Sequence, residues 1–347
     1  MLPQPSAHQS LLSATAHWGR QAEEEPVVCN ENLGSLTRCA QHNGSRRRFL
    51  TQLSLTGCAL AAARAARAID PIDRSAAASD SPGAKFKFSL AAYSYRDLLT
   101  GSSPPLTLFD FVHDCARMGL EGTELTSYYF PRPVTREYLC SLKQLCFKLG
   151  LDVSGTAVGN DFCLPPGEKR DEQLAYVKEW IDHAVLLGAP VIRIFSGGAS
   201  EQVPEALARR LAVEAIEECC QYAGERGVML ALENHGGLTS TAEGMLELVR
   251  AVRSPWFGVN LDTGNFHGPD VYAELARLAP YAVNVQVKVV VQQGSGPREP
   301  ADFQRLAALL REAGYRGYIV LEFEEAEDPR QACPRYMQDL RAAFGEA

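Results

Sequence analysis

Four short stretches of this chain end in groups that can bind a cation or move a proton: Glu233-Asn234-His235, Asn260-Leu261-Asp262, Gln286-Val287-Lys288 and Glu322-Phe323-Glu324. Each closes a short apolar run of strand-like composition, and an earlier run ends in Glu124. If the runs are neighbouring parallel strands, Glu233, Asp262, Gln286 and Glu322 are aimed at one point. Carboxylates gathered there alone would repel and raise one another's pKa, whereas a divalent cation between them removes the conflict. All four side chains offer oxygen, so the hard ions Mn2+ or Mg2+ suit them better than a His- and Cys-rich zinc site would, with Zn2+ or Co2+ as alternatives.

The elements that must position these groups are legible along residues 85–347. Strand candidates are Phe86–Ala92, Gly122–Leu125, Val153–Ala157, Val191–Phe195, Met229–Glu233, Phe257–Leu261, Tyr281–Lys288 and Tyr318–Glu322. Helical periods lie between them, such as Leu108–Met118, Gln173–Leu187, Ala206–Ala223 and Phe303–Ala313. Gly119, Gly150, Gly188, Gly227 and Gly314 stand before strands, where a left-handed helix end is needed. Repeated βα units of this number predict a single α/β domain, a (β/α)8 TIM barrel with its chemistry at the C-terminal strand ends. A doubly wound dinucleotide fold is disfavoured, because no G-x-G-x-x-G follows the first strand. Strand alternation puts Asn260 with Asp262, Asn284 with Gln286 and Lys288, and Glu322 with Glu324 on common faces.

The N-terminal part reads differently. Ser45-Arg46-Arg47-Arg48-Phe49-Leu50 precedes a small apolar stretch, Leu53–Ala63, and then Ala66-Arg67-Ala68. That order predicts a twin-arginine export leader over 1–68 with an A-x-A cleavage site, preceded by an overlong start, and a Ser/Ala/Pro-rich linker over 69–84. The expected address is periplasmic or secreted. The apolar stretch is too short for a permanent membrane anchor. The leader's seven Arg against four Glu leave the rest of a chain of net charge −8 at −11, which argues against a nucleic-acid partner. Seven cysteines outside the leader, without C-x-x-C spacing, read as core thiols rather than a disulfide framework.

Ala231-Leu232-Glu233-Asn234-His235-Gly236-Gly237, Gly258-Val259-Asn260-Leu261-Asp262-Thr263-Gly264-Asn265-Phe266 and Ile319-Val320-Leu321-Glu322 resemble the xylose-isomerase-like barrels, which include sugar phosphate isomerases, ketose 3-epimerases and related lyases. The resemblance covers essentially the whole chain after the leader. It implies that Glu233, Asp262 and Glu322 hold the metal. Gln286 stands where most relatives place histidine; its carbonyl can still coordinate, and the dehydroshikimate dehydratases of the superfamily look similar there, which raises a lyase alternative.

The resemblance leads to the expectation of a metal-dependent sugar isomerase or epimerase that moves a proton α to a carbonyl through an enediolate, with Glu233 and Glu322 as acid–base pair. The alternatives are a lyase or dehydratase on a 3-oxo sugar or dehydroshikimate-like substrate, and an exported barrel that only binds carbohydrate. A DNA-repair endonuclease would need a histidine-rich cluster and a basic groove, and the chain has neither. Glu124, Arg193, His235, His267 and Lys288 are the candidate substrate-binding residues. Each has a structural alternative: Glu124 orienting Arg193, Arg193 pairing with Glu233, the two histidines bracing loops, and Lys288 salt-bridged to Glu322 or Glu324. The expected partner is a small sugar or keto-sugar, with a homo-oligomer allowed.

Overall fold

Eight parallel strands close into a barrel: β1 Lys87–Ala91, β2 Gly122–Thr126, β3 Asp152–Ala157, β4 Val191–Ile194, β5 Met229–Glu233, β6 Phe257–Asp262, β7 Ala282–Val287 and β8 Tyr318–Leu321. The computed structural model describes residues 70–72 and 86–345, all within one unit, Ala62–Ala347. The expected leader, and the linker apart from Asp70–Ile72, lie outside the described residues.

Going round the barrel the strands follow the order β1-β8-β7-β6-β5-β4-β3-β2, so each strand pairs with its sequence neighbours and β8 closes on β1. Eight helices return the chain between strands: α1 Leu108–Arg117, α2 Arg136–Lys148, α3 Glu168–Leu187, α4 Glu205–Gly224, α5 Ala242–Ala251, α6 Val271–Leu278, α7 Phe303–Glu312 and α8 Pro329–Phe344. Their starts are fixed chemically. Thr107 and Asp110 form a reciprocal capping box on α1, and Asp270 and Asp302 accept the backbone N–H groups of Ala273 and Arg305 at the heads of α6 and α7. Gly188 ends α3 in the left-handed region at φ +82°, donating to the carbonyls of Ala184 and Val185, as its position before β4 predicts.

The apolar core lies between strands and helices, with Phe111, Leu142, Ile181, Ile216, Leu275 and Leu310 among its buried members. The barrel interior is by contrast polar. Ser89 and Ser154 meet across it at 2.7 Å, and Glu124, Arg193, Glu233, Asn260, Asp262, Asn284 and Gln286 are all buried. Apolar packing on the outside of the strands carries the fold and leaves the inside free for chemistry.

One element was not foreseen. Val290–Gln292 and Arg298–Pro300 pair as an antiparallel hairpin between β7 and α7, turning through Gly294 at φ +55°. The seven cysteines among the described residues are free, and six of them are buried, as core thiols would be. Among the described residues no helix is long and apolar enough to cross a membrane.

Candidate active site

Register brings the polar strand ends level at the C-terminal mouth. Glu233 pairs with Asn260, Asp262 with Gln286 and Leu321 with Val287, so Lys288 and Glu322 leave their strands side by side. Asn234 locks β5 to β6: its Nδ2 donates to the Asp262 carbonyl, and its Oδ1 accepts the Asp262 N–H, both at 2.9 Å. The Gly264 N–H donates to Asp262 Oδ1 at 2.8 Å. These contacts fix the Asp262 backbone and one of its carboxylate oxygens.

Two buried cations hold the carboxylates. Arg193 on β4 places Nε 2.8 Å from Glu233 Oε2, an ion pair in contact though not aligned as a hydrogen bond. Its Nη1 donates to the Val158 carbonyl at 2.8 Å and its guanidinium lies 4.1 Å from the Phe195 ring centre. Asn265 donates to the other oxygen of Glu233 at 3.0 Å. Lys288 Nζ touches Glu322, lies 3.0 Å from Glu324 and stands 3.3 Å from Asp262 Oδ2. Gly264 lets the lysine take that path, because a Cβ there would stand 2.6 Å from Lys288 Cγ.

Beneath this layer runs a closed polar network. Asn284 Nδ2 donates to Glu124 Oε2 at 2.9 Å and to Asn260 Oδ1 at 2.8 Å. Gln286 Nε2 donates to Glu124 Oε1 at 2.7 Å, and Gln286 Oε1 accepts from Asn260 at 2.6 Å. Both ends of the Gln286 amide are therefore occupied. Glu124 is bound by these two amides rather than by Arg193.

Burial sets the electrostatics. It pushes Glu124 up to about 7, with Glu322 adding to the rise and Arg193, Gln286 and Asn284 opposing it. It likewise pushes Asp262 up to about 7 against the pull of Lys288. Glu233 rises well above the usual carboxylate range, since burial and the charges of Asp262 and Glu322 outweigh Arg193. Glu322 goes the other way: burial raises it, but Lys288, Arg193 and His235 together bring it below the usual value. Burial disfavours the Lys288 charge, yet Asp262, Glu322 and Glu324 hold it as an ammonium.

The mouth opens into a cleft of about 220 Å³ lined by His267, Lys288, Arg298, Glu322 and Glu324. His267 and His235 are exposed, and the His235 ring lies 4.4 Å from that of Phe195. Tyr93, Tyr128 and Tyr129 form an edge-to-face chain on the other side, while Tyr95 is buried against Phe111 and serves the core. Ser94 and Arg96 were not singled out from sequence. Ser94 accepts the Phe323 N–H, and Arg96 donates to the carbonyls of Phe323 and Glu324, pinning the exit of β8.

The donor set can be tested against a divalent ion. Asp262 Oδ2 is a fully buried oxygen with no hydrogen bond, the kind of acceptor a metal would satisfy. Glu233, Asp262 and Glu322 offer hard oxygen from adjoining strands. Among the described residues no three His, Cys, Asp or Glu side chains stand grouped to hold an ion as they lie, and the cation touching Asp262 and Glu322 is the Lys288 ammonium.

No curated protein matches the sequence. Among solved structures the chain is similar to a D-psicose 3-epimerase with D-tagatose from Clostridium cellulolyticum H10, at 14% identity and TM-score 0.63, covering 75% of this chain and 99% of that one. It is similar to an L-ribulose 3-epimerase at 17% identity and TM-score 0.62, covering 75% and 94% of the two chains. It is also similar to a 3-keto-D-glucoside 4-epimerase from E. coli at 18% identity and TM-score 0.57, covering 74% and 100%. At these identities the likeness is one of fold. The family model described as xylose isomerase-like TIM barrel matches residues 112–341, which takes in seven of the eight strands and every group of the mouth except Tyr93, Ser94 and Arg96 on the β1 side; the chain belongs to that family.

Proposed function

We propose that this protein is a metal-dependent epimerase or isomerase of keto-sugars that transfers a proton at the carbon next to a carbonyl, with Glu233 and Glu322 as the acid–base pair. The observation that carries this reading is the placement of those two carboxylates. They stand three strands apart on the barrel ring, at the ends of β5 and β8, and so reach one mouth from opposing sides, each held by its own buried cation. Two carboxylates facing one carbon can remove a proton from one side and return it on the other.

One carboxylate of the pair removes the proton and the other returns it, and a divalent cation among them would keep both ionised until the proton is taken. Asn265 and Arg193 fix the Glu233 carboxyl in place, and in the metal-free protein Lys288 holds Glu322. Lys288 and His235, beside Glu322, can meet substrate oxygens, while the tyrosine chain offers a face for the sugar carbons. A divalent ion, Mn2+ or Mg2+ by the hardness of its donors, would be held by Glu233, Asp262 and Glu322 and would acidify the C–H bond by polarising the carbonyl. The Gln286 carbonyl is engaged by Asn260 and is left out of that set.

The three solved structures named above, sugar 3- or 4-epimerases by name, support the substrate class. A second reading, a lyase that expels a β-oxygen from the same carbanion, is favoured by Gln286 at the strand-seven position. Export through the leader over 1–68 would make a free sugar or glycoside the substrate. The test is hydrogen exchange at the α-carbon of a ketose panel: inverted or isomerised product supports the first reading, and an unsaturated product the second.

A further inference from the structure

Lys288 lies deeper than a substrate-binding lysine needs to. Its Nζ is in contact with Glu322, 3.3 Å from Asp262 Oδ2 and 3.0 Å from Glu324, and its side chain is 9% exposed. The first two partners are the carboxylates that the proposed function assigns to a metal. The third is different: the Glu324 side chain is 33% exposed and lines the open cleft. The lysine therefore has one set of anchors in the cluster and another toward solvent. Its route is built in, because Gly264 clears the space its stem occupies and Thr263 Oγ1 accepts its backbone N–H at 3.0 Å.

Resting on the metal-dependent reading above, we propose that Lys288 is the resident cation of the carboxylate cluster, and that a divalent ion binds by displacing its ammonium from Asp262 and Glu322 onto Glu324. Buried acids cannot remain ionised together without a cation among them. The lysine supplies that cation in the metal-free protein, keeps the strand ends from repelling one another, and delivers its charge to the cleft when the ion enters. Two cations cannot share the Asp262 and Glu322 oxygens at contact distance, so each weakens the other's hold. The ammonium at Glu324 then faces the place where a substrate oxygen arrives.

The test measures Mn2+ binding by titration calorimetry, and melting with and without Mn2+, on the wild-type protein, Lys288→Met and Arg298→Met. Displacement predicts that Lys288→Met binds Mn2+ at least about tenfold more tightly, a modest share of the repulsion between unit charges a few ångströms apart. It also predicts that the metal-free variant melts about 6 °C or more below the wild type, the loss expected when a buried ion cluster loses one partner, and that Mn2+ restores most of the difference. Arg298→Met removes one positive charge from the same cleft without touching Asp262 or Glu322, and its affinity should stay within about threefold of wild type. Equal Mn2+ affinity in Lys288→Met and wild type overturns the displacement while leaving the proposed function standing. Equal tightening in Lys288→Met and Arg298→Met reduces the effect to cleft charge and overturns it as well. Absence of any divalent-ion binding in all three proteins sinks the metal reading and the exchange with it. If Lys288→Met folds in neither condition, Lys288→Gln, which can still hydrogen-bond Glu322 without a charge, is held to the same criteria.

Discussion

Arg193 Nε lies 2.8 Å from Glu233 Oε2, and both side chains are about 5% exposed or less. A charge pair at that depth is held by its neighbours as much as by Coulomb attraction: Val158 and Phe195 position the guanidinium, and Asn265 fills the other carboxylate oxygen. Removing one member strands the other. Arg193→Met is expected to cost roughly 3–5 kcal/mol of stability, whereas Arg193→Met combined with Glu233→Met should cost clearly less than the two single losses added together. Urea melts of the three variants measure this, and simple additivity would show that the pair is not coupled.

The network under the mouth predicts a different pattern. Gln286 spans Glu124 and Asn260, so Gln286→Leu orphans a buried acid and a buried amide and should cost about 1–3 kcal/mol for each group left unpaired. Because the Gln286 carbonyl is taken, Mn2+ affinity should fall by no more than a few-fold once the variant is folded. A loss of a hundredfold or more would make Gln286 a direct ligand.

Glu124 gives the metal-free protein a pH signature. Its carboxyl ionises near 4.5 in an unfolded chain and at about 7 in the fold, so the folded state binds that proton more tightly. The stability it contributes is fully present below about pH 4.5 and is lost as the pH rises through 7. In the presence of a chelator the Tm should therefore decline across that window, and Glu124→Gln should flatten the decline. Asp262, also near 7, contributes in the same direction. An unchanged slope in the variant would contradict the assignment.

Much of this architecture was legible in the sequence, for definite reasons. Each strand needed apolar residues on its outward face, which wrote the runs from Phe86 to Glu322, and Gly188 needed a left-handed conformation that marks its helix end. Glu233, Asp262, Lys288 and Glu322 could be placed together because strand ends in a parallel barrel share one rim. What stayed hidden was the choice among partners. Lys288 pairing with Glu322 and Glu324, and Arg193 with Glu233, were each one of two options that alternation alone does not separate. Glu124 and Asn284 are 160 residues apart, and the shift in register between Val259 and Asn260 decides which amide meets which. The hairpin escaped notice because each of its strands is only three residues long, too short to show a periodic run beyond the candidate strand Tyr281–Lys288.

The proposed twin-arginine leader makes its own prediction. Arg46 and Arg47 replaced by lysine should leave the full-length precursor in the cytoplasm of an exporting bacterium, whereas the native chain should appear outside it with Ile69 as its first residue. N-terminal sequencing of the exported protein decides the cleavage site, and an uncleaved cytoplasmic chain would remove the argument for a free sugar.

The central claim is proton transfer between Glu233 and Glu322, and deuterium incorporation from D2O tests it most directly. The Mn2+-loaded protein, the metal-stripped protein, Glu233→Gln and Glu322→Gln are each incubated with a panel of ketoses and 3-oxo-glycosides, and the α-carbon is followed by NMR. The account predicts metal-dependent exchange on at least one substrate, lowered by about 100-fold or more in each variant, in line with the usual worth of a general acid or base. Exchange that survives in both variants, or that is indifferent to metal, would contradict it.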